Sequence, residues 1–331
     1  MSHEMITREI GRSGVVASAI GLGTWAIGGW MWGGTDEGQA IAAIQTSIDE
    51  GVSLIDTAPA YGQGLSEEIV GKGIRGRRDK VVIATKCGLV WHTTEGNHFF
   101  DYEGRPVHRH LGRASIFHEV EQSLRRLGID YIDHYITHWQ DPTTPIEETV
   151  RALEDLKQQG KIRSIGASNV SLEELRAYLA TGALDAIQEE YSMVTRRVEQ
   201  ALLPTCIENG VSILSYSSLA LGLLSGRIGP DRQFSGDDQR KDNPRFSLAN
   251  REKVARLMEE IGAVAKEHHA TPAQIVIAWT IQQPGITFSL CGARNPVQAA
   301  ENAAAGRIRL SPDELKTISE AAARHLTNLD A

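Results

Sequence analysis

The apolar positions of this chain come in short runs, each opened by a glycine and followed by a stretch with helical spacing. Six such runs are Gly51-Val-Ser-Leu-Ile, Gly128-Ile-Asp-Tyr-Ile, Gly160-Lys-Ile-Arg-Ser-Ile, Gly182-Ala-Leu-Asp-Ala-Ile, Gly210-Val-Ser-Ile-Leu and Gly285-Ile-Thr-Phe. Glycine takes the left-handed conformation that ends a helix. Short β-branched runs suit buried parallel strands. Between them, Ile41, Ile44 and Ile48 fall on one helix face, as do Ile116, Val120, Leu124 and Leu127. Thr144…Glu147, Ser171…Glu174, Thr271…Gln274 and Ser311…Glu314 have the spacing of capping boxes, three of them followed by proline.

This pattern predicts eight strands, at about residues 19–24, 53–58, 81–86, 132–138, 162–168, 185–191, 211–217 and 286–292. Alternation with helices implies a parallel sheet with right-handed crossovers, and eight units close a (β/α)8 TIM barrel. A doubly wound sheet is the alternative, weakened because no GxGxxG follows an early strand. Residues 7–18 read as a β-hairpin with Arg12-Ser13-Gly14 in its turn, and a last helix is expected at about 312–325. Residues 1–331 are expected to form one α/β domain with long loops at the barrel mouth.

Composition narrows the function. The chain has 331 residues, 41% hydrophobic and 23% charged, which suffices for a large core. A net charge of −8 argues against nucleic acid or an anionic membrane as partner. Three cysteines, Cys87, Cys206 and Cys291, with no CxxC spacing favour a reducing cytosol over a disulfide framework. No signal peptide, membrane span or partner-binding tail is expected.

The candidate chemistry lies at predicted strand ends, where TIM barrels carry their active sites. Asp56, Tyr61, Lys86 and His138 all fall there. A free tyrosine titrates near pKa ~10, and an ammonium beside it stabilises the phenolate, so Lys86 is expected to bring Tyr61 toward neutrality. Such a phenol gives a proton to a carbonyl oxygen or takes one from an alcohol. The hydride half of that reaction needs a cofactor.

Several stretches together make the chain resemble the aldo-keto reductase superfamily: Gly21-Leu-Gly-Thr-Trp25, Leu54-Ile-Asp-Thr-Ala-Pro-Ala-Tyr-Gly62, Ser66-Glu67, Thr85-Lys86, Tyr131-Ile-Asp-His-Tyr-Ile-Thr-His-Trp139, Gly160-Lys-Ile-Arg-Ser-Ile-Gly-Ala-Ser-Asn169, and Gly292-Ala-Arg294 with Gln298, Glu301 and Asn302. The run Gly23-Thr-Trp-Ala-Ile-Gly-Gly-Trp-Met-Trp-Gly-Gly34 is similar to bacterial reductases of small or sugar-derived aldehydes. The resemblance implies an NADP(H)-dependent oxidoreductase on a (β/α)8 barrel. It makes Tyr61 the general acid/base, with Lys86 lowering its pKa, Asp56 pairing with Lys86, and His138 orienting the substrate carbonyl. It implies that Ser168, Asn169 and Gln188 hold the nicotinamide carboxamide and that the ring stacks on Tyr216. Gly23, Thr24, Trp25 and Asp56 join the cofactor contacts. The resemblance also implies that backbone around Ser217, Leu219, Gly222 and Leu224 faces the pyrophosphate and that Gly292, Ala293, Arg294, Gln298, Glu301 and Asn302 meet the adenosine end. Trp25, Trp32, Trp91, His138 and Trp139 are the substrate candidates.

Two positions depart from the family pattern. Many members have a lysine at Gly292 and an arginine at Gln298, both binding the 2′-phosphate. Here Arg294 is the one obvious cation, so NADP is favoured and NAD is open. His134 replaces an aliphatic residue and is expected inside the barrel, neutral and hydrogen-bonded. Residues 87–114 and 226–247 read as long loops, the first shaping the substrate site. The second holds Arg227, Arg232, Arg240, Lys241 and Arg245, either near phosphate or in solvent. His108-x-His110 lacks a third ligand at metal spacing, Cys87 reads as a small buried residue, and Trp279 as core. A regulatory module resembling cation-channel β subunits is the alternative to an enzyme. Natural substrate, reaction direction and oligomeric state are not encoded in these motifs.

Overall fold

The computed structural model describes residues 4–236, 238–327 and 329. A hairpin comes first: β1 (Thr7–Glu9) pairs antiparallel with β2 (Val16–Ser18). Then β3 (Ile20–Gly23), β4 (Leu54–Asp56) and β5 (Val82–Cys87) alternate with helices. Three short strands follow, β6 (Leu89–Val90), β7 (Asn97–Tyr102) and β8 (Arg105–Arg109). The series resumes with β9 (Ile132–Thr137), β10 (Ile162–Ser168), β11 (Ala186–Glu190), β12 (Ser212–Tyr216) and β13 (Phe288–Gly292). β3, β4, β5 and β9 to β13 close into an eight-stranded parallel barrel in chain order, β13 pairing back onto β3. All eight expected strands are present, and the fold is the (β/α)8 barrel.

The physical reasons match the sequence pattern. Gly51, Gly128, Gly160, Gly182, Gly210 and Gly285 all have positive φ and turn the chain from helix toward strand. Ser171, Thr271 and Ser311 form complete capping boxes. Thr144 does not: its hydroxyl donates to Asp141 Oδ2 at 2.6 Å, and the helix starts at Ile146 without a side-chain cap. The last helix runs Pro312–His325.

The hairpin seals the N-terminal end of the barrel. Ile10, Val15 and Ala17 pack with Leu54, Ala84, Ile136, Leu214 and Phe288. Arg8 locks it by donating to the carbonyls of Ile281, Ile286 and Thr287. Inside the barrel, His134 is fully buried. Ser164 spends its proton on Asp133 O at 2.7 Å, so at 2.8 Å its oxygen accepts from His134 Nδ1, which fixes the tautomer. Burial lowers this histidine to about 3, and it is neutral. A Cβ at Gly166 would sit 2.6 Å from its Nε2, so glycine makes room for the ring.

Residues 87–114 are not the loop expected from their composition. β6, β8 and β7 form a three-stranded antiparallel sheet beside the mouth. It turns at Glu103 and Gly104, both of positive φ, and a register shift between His98 and Phe100 breaks the alternation. Among the described residues, no helix is long and apolar enough to cross a membrane.

Candidate active site

The barrel strands deliver their last residues to one rim. Asp56 ends β4, Lys86 lies next to last in β5, and His138 follows β9 directly. Tyr61 sits in the turn after β4, its carbonyl accepting from Ser66 N and Gly28 packing against its backbone, where a Cβ would come within 2.7 Å. Lys86 Nζ donates to Asp56 Oδ1 at 2.7 Å, Thr57 O at 2.9 Å and Tyr61 Oη at 3.0 Å. Three bonds exhaust the donors of an ammonium. The Tyr61 oxygen therefore accepts from Lys86, and its own proton has no acceptor among the described residues. That proton lies at the edge of the main cavity.

The charges are arranged for this. Lys86 and the Asp56 carboxylate are buried, with 1% and 4% of their side chains exposed. Burial alone would lower Lys86, but Asp56 and Tyr61 outweigh it and hold its pKa above the ordinary value. Burial and Lys86 push His138 well below the ordinary histidine value, so it is a neutral imidazole. Its ring stands at 83° to Tyr61 with centroids 5.8 Å apart. Its backbone is pinned by His138 N to Cys87 O and Asn169 Nδ2 to His138 O.

A cavity of about 810 Å³ extends from this cluster. One end is aromatic. Trp25 meets Trp32 edge-on at 5.6 Å, Trp30 stacks on Phe100 at 5.3 Å, and Phe99 packs on Trp139 at 5.2 Å. The middle is polar: Gln188 Nε2 donates to Asp56 Oδ2, Tyr216 Oη to Asn169 Oδ1, and Ser168 Oγ to Gln188 O. Asn169 has a φ of 57°, which asparagine tolerates better than most residues, and Ser171 caps the helix that follows. The far end carries Arg227, Arg232, Arg240 and Arg294 around Gly222, Gly292 and Glu301. Arg227 pairs with Glu301, Arg240 with Asp238, and Arg294 donates to the carbonyls of Trp32 and Gly34.

Comparison with known proteins agrees with this geometry. The family model for the aldo/keto reductase family matches residues 19–323. The NADH-specific methylglyoxal reductase of Escherichia coli is 41% identical over 319 residues, covering 95% of this chain and 97% of that protein. The solved glycerol dehydrogenase of Gluconobacter oxydans superposes with a TM-score of 0.88 at 37% identity, covering 98% and 97% of the two chains. An aldo/keto reductase from Klebsiella pneumoniae, solved with NADP and acetate, gives a TM-score of 0.72 at 32% identity over 95% and 94%.

The chain belongs to the aldo/keto reductase family. As a member it is an NAD(P)H-dependent carbonyl oxidoreductase, and the cavity fits such a cofactor. Ser217, Ala220, Leu221 and Gly222 have positive φ, so the backbone curls away and leaves space. An added Cβ at Gly222 would meet nothing nearer than 3.5 Å, and at Gly292 nothing nearer than 3.9 Å. Both glycines leave open room for a ligand against bare backbone.

Three expectations for this reductase need correction. Leu224 and Ala293 are almost fully buried and do not line the cavity. Trp91 also stays outside it, and Phe99 and Phe100 of β7 take that wall with Leu89, Trp30 and Met31. The adjacent pair Phe99-Phe100 at a strand bulge was the available signal. Finally, Tyr61 is not brought toward neutrality. Burial raises its pKa, Lys86 opposes that, Asp56 adds to it, and the net direction is upward. The remaining proposed cofactor and substrate residues border the cavity, Lys86 excepted, which reaches it through Tyr61. Cys87 is a buried thiol pushed far up by burial, as a structural residue should be.

Proposed function

We propose that Tyr61 is the proton donor of an NADP(H)-dependent reductase acting on small, uncharged or sugar-derived aldehydes and ketones. One observation carries this reading: Lys86 donates to the Tyr61 oxygen, so the phenol proton is left for a substrate carbonyl. The cofactor, when bound, supplies the hydride. Tyr61 delivers its proton to the carbonyl oxygen. Lys86 stabilises the phenolate left behind, and Asp56 keeps Lys86 charged and aimed. Neutral His138 orients the carbonyl without competing as an acid. Ser168, Asn169, Gln188 and Tyr216 hold the nicotinamide end, while Gly292, Arg294, Gln298, Glu301 and Asn302 surround the adenosine end.

The aromatic wall supports the substrate class. The Tyr61–Trp139 end is lined by Trp25, Trp30, Trp139, Phe99 and Phe100, and the arginines that approach its rings are already engaged: Arg240 lies 5.4 Å from the Trp32 ring and pairs with Asp238, and Arg109 lies 5.2 Å from the Phe99 ring. The named substrates of the two relatives, methylglyoxal and glycerol, are small and uncharged. NADP is preferred on the arginines of the far end, with NAD accepted, because Arg294 is already committed to carbonyls and Arg227 to Glu301. One such domain spans residues 1–331, and three free, buried cysteines suit the cytoplasm.

The test is NADPH oxidation with DL-glyceraldehyde, comparing wild type with Tyr61→Phe and running NADH in parallel. Turnover lost in Tyr61→Phe while NADPH still binds is the expected result. Cofactor binding without turnover in either protein, across a panel of aldehydes, would overturn it.

A further inference from the structure

Asp56 and Gln188 stand on opposite sides of the barrel. Three strands separate β4 from β11 in either direction around the ring. The two side chains nevertheless meet across the lumen, Gln188 Nε2 donating to Asp56 Oδ2 at 2.8 Å. Each residue is 3% exposed. An ionised carboxylate only accepts, so the amide nitrogen must face it and Oε1 must point away. The stem of Gln188 is fixed as well, because its carbonyl accepts from Ser168 Oγ at 2.7 Å and from Asn169 N at 3.3 Å. Asp56 thus has both oxygens occupied: Lys86 on one, Gln188 on the other.

From this cross-barrel bond we infer that Gln188 is a positioning residue for proton transfer, acting through Asp56 in addition to any part it takes in holding the cofactor. This rests on the assignment of Tyr61 as proton donor. The bond fixes the carboxylate so that Oδ1 alone meets Lys86, and it draws off part of the negative charge that Asp56 would otherwise direct at Lys86 and Tyr61. The charged and titratable groups around Tyr61 are Lys86 from β5, Asp56 from β4, His138 after β9 and Tyr216 at the end of β12, with His134 deeper in β9. His134 and His138 are neutral, so the balance lies between Lys86, which favours the phenolate, and Asp56, which opposes it. Removing the Gln188 donor strengthens the opposition, and Tyr61 then holds its proton more tightly.

Gln188 borders the cofactor cavity, so a loss of cofactor affinity in a variant does not test the inference. The pH profile at saturating cofactor does. Gln188→Met keeps the length and removes the donor; Gln188→Glu keeps the shape and adds a second carboxylate against Asp56. Both are compared with wild type in alcohol oxidation, where Tyr61 must act as base. The rising limb of log kcat against pH is expected to move up by about one pH unit in Gln188→Met. At a fixed pH on that limb this is about a tenfold loss of kcat. The shift is larger in Gln188→Glu, which also secures the test if the methionine variant folds poorly. The apo-protein offers a reading without activity: the ultraviolet tyrosinate titration of each protein, less that of its Tyr61→Phe counterpart, isolates Tyr61 and should show the same order. A raised KM for cofactor with the limb unmoved in both variants overturns the inference and leaves Tyr61 as the acid. A Tyr61→Phe protein that keeps turnover and the limb overturns the acid assignment itself, and the inference with it.

Discussion

The two ends of the cavity handle charge in opposite ways. At the barrel end, Asp56, Lys86, Tyr61 and Gln188 form a closed set in which every donor of the ammonium and both carboxylate oxygens are used. At the far end, Arg227, Arg240 and Arg294 are partnered too, but the arginines are partly exposed, and their partners are a rim glutamate, a loop aspartate and two loop carbonyls. Burial makes the first set rigid and costly to open. Exposure makes the second cheap to exchange where the arginine is open to solvent, as at Arg227, since surface pairs are worth ~1 kcal/mol or less. The proposed proton chemistry lies at the end whose charges cannot rearrange, and the proposed phosphate site at the end whose charges are more exposed.

Removing one member of the closed set is the strongest challenge to this contrast. Lys86→Met strands the Asp56 carboxylate with Gln188 alone. We expect kcat to fall roughly a hundred- to ten-thousand-fold. Stability should drop by ~3–5 kcal/mol, because the buried carboxylate loses its charged partner. Urea unfolding that leaves the variant as stable as wild type would show that the set is not closed in the sense described.

The aromatic wall comes next. Phe99→Ala removes the partner of Trp139, and KM for an aryl aldehyde should rise roughly tenfold, the scale of one missing apolar contact in a pocket. Glyceraldehyde should be less affected. An equal rise for both substrates would mean that β7 supports the wall without touching the substrate.

At the far end the effects shrink. Arg294→Gln loses the bonds that tie the proposed adenosine end to the loop carrying Trp30 and Trp32. KM is expected to rise about fivefold for NADPH, as one or two hydrogen bonds warrant. It should rise less for the aldehyde, through the loosened loop, and NADH should suffer less than NADPH. Unchanged steady-state constants for both cofactors would separate Arg294 from cofactor binding.

The last effect concerns stability alone. Glu119 is buried beneath the mouth, taking the Gly88 N–H at 2.9 Å, and burial raises its carboxyl to about 8 from the ordinary 4.5. The folded state favours the protonated form, so this contribution is complete below about 4.5 and is lost as pH rises through about 8. Glu119→Gln should flatten the fall in melting temperature over that window. A variant that melts with the wild-type pH slope would place a compensating charge near Glu119.

Strand-borne features were the legible ones. Short β-branched runs behind glycines mark β4 and β9 to β13, because a buried parallel strand needs little beyond that pattern. The tetrad was readable for the same reason, each member lying at or just beyond a strand end. The sheet of β6, β7 and β8 was not, since a bulge at Phe99 breaks its alternation and its polar composition imitates a loop. Trp91 and Phe99 are eight positions apart in one segment, and only the fold of that segment chooses between them.

The amino-acid order by itself determined the barrel, most of the helix ends and the strand-end positions of Asp56, Tyr61, Lys86 and His138, because these depend on local propensity and period. Tertiary structure decided what depends on distance through space. It set the direction of the Tyr61 shift, since a neighbouring Lys86 is readable from sequence but the burial that outweighs it is not. It also made the bond from Gln188 to Asp56, because residues 132 positions apart meet only when eight strands close and bring opposite walls within hydrogen-bonding reach.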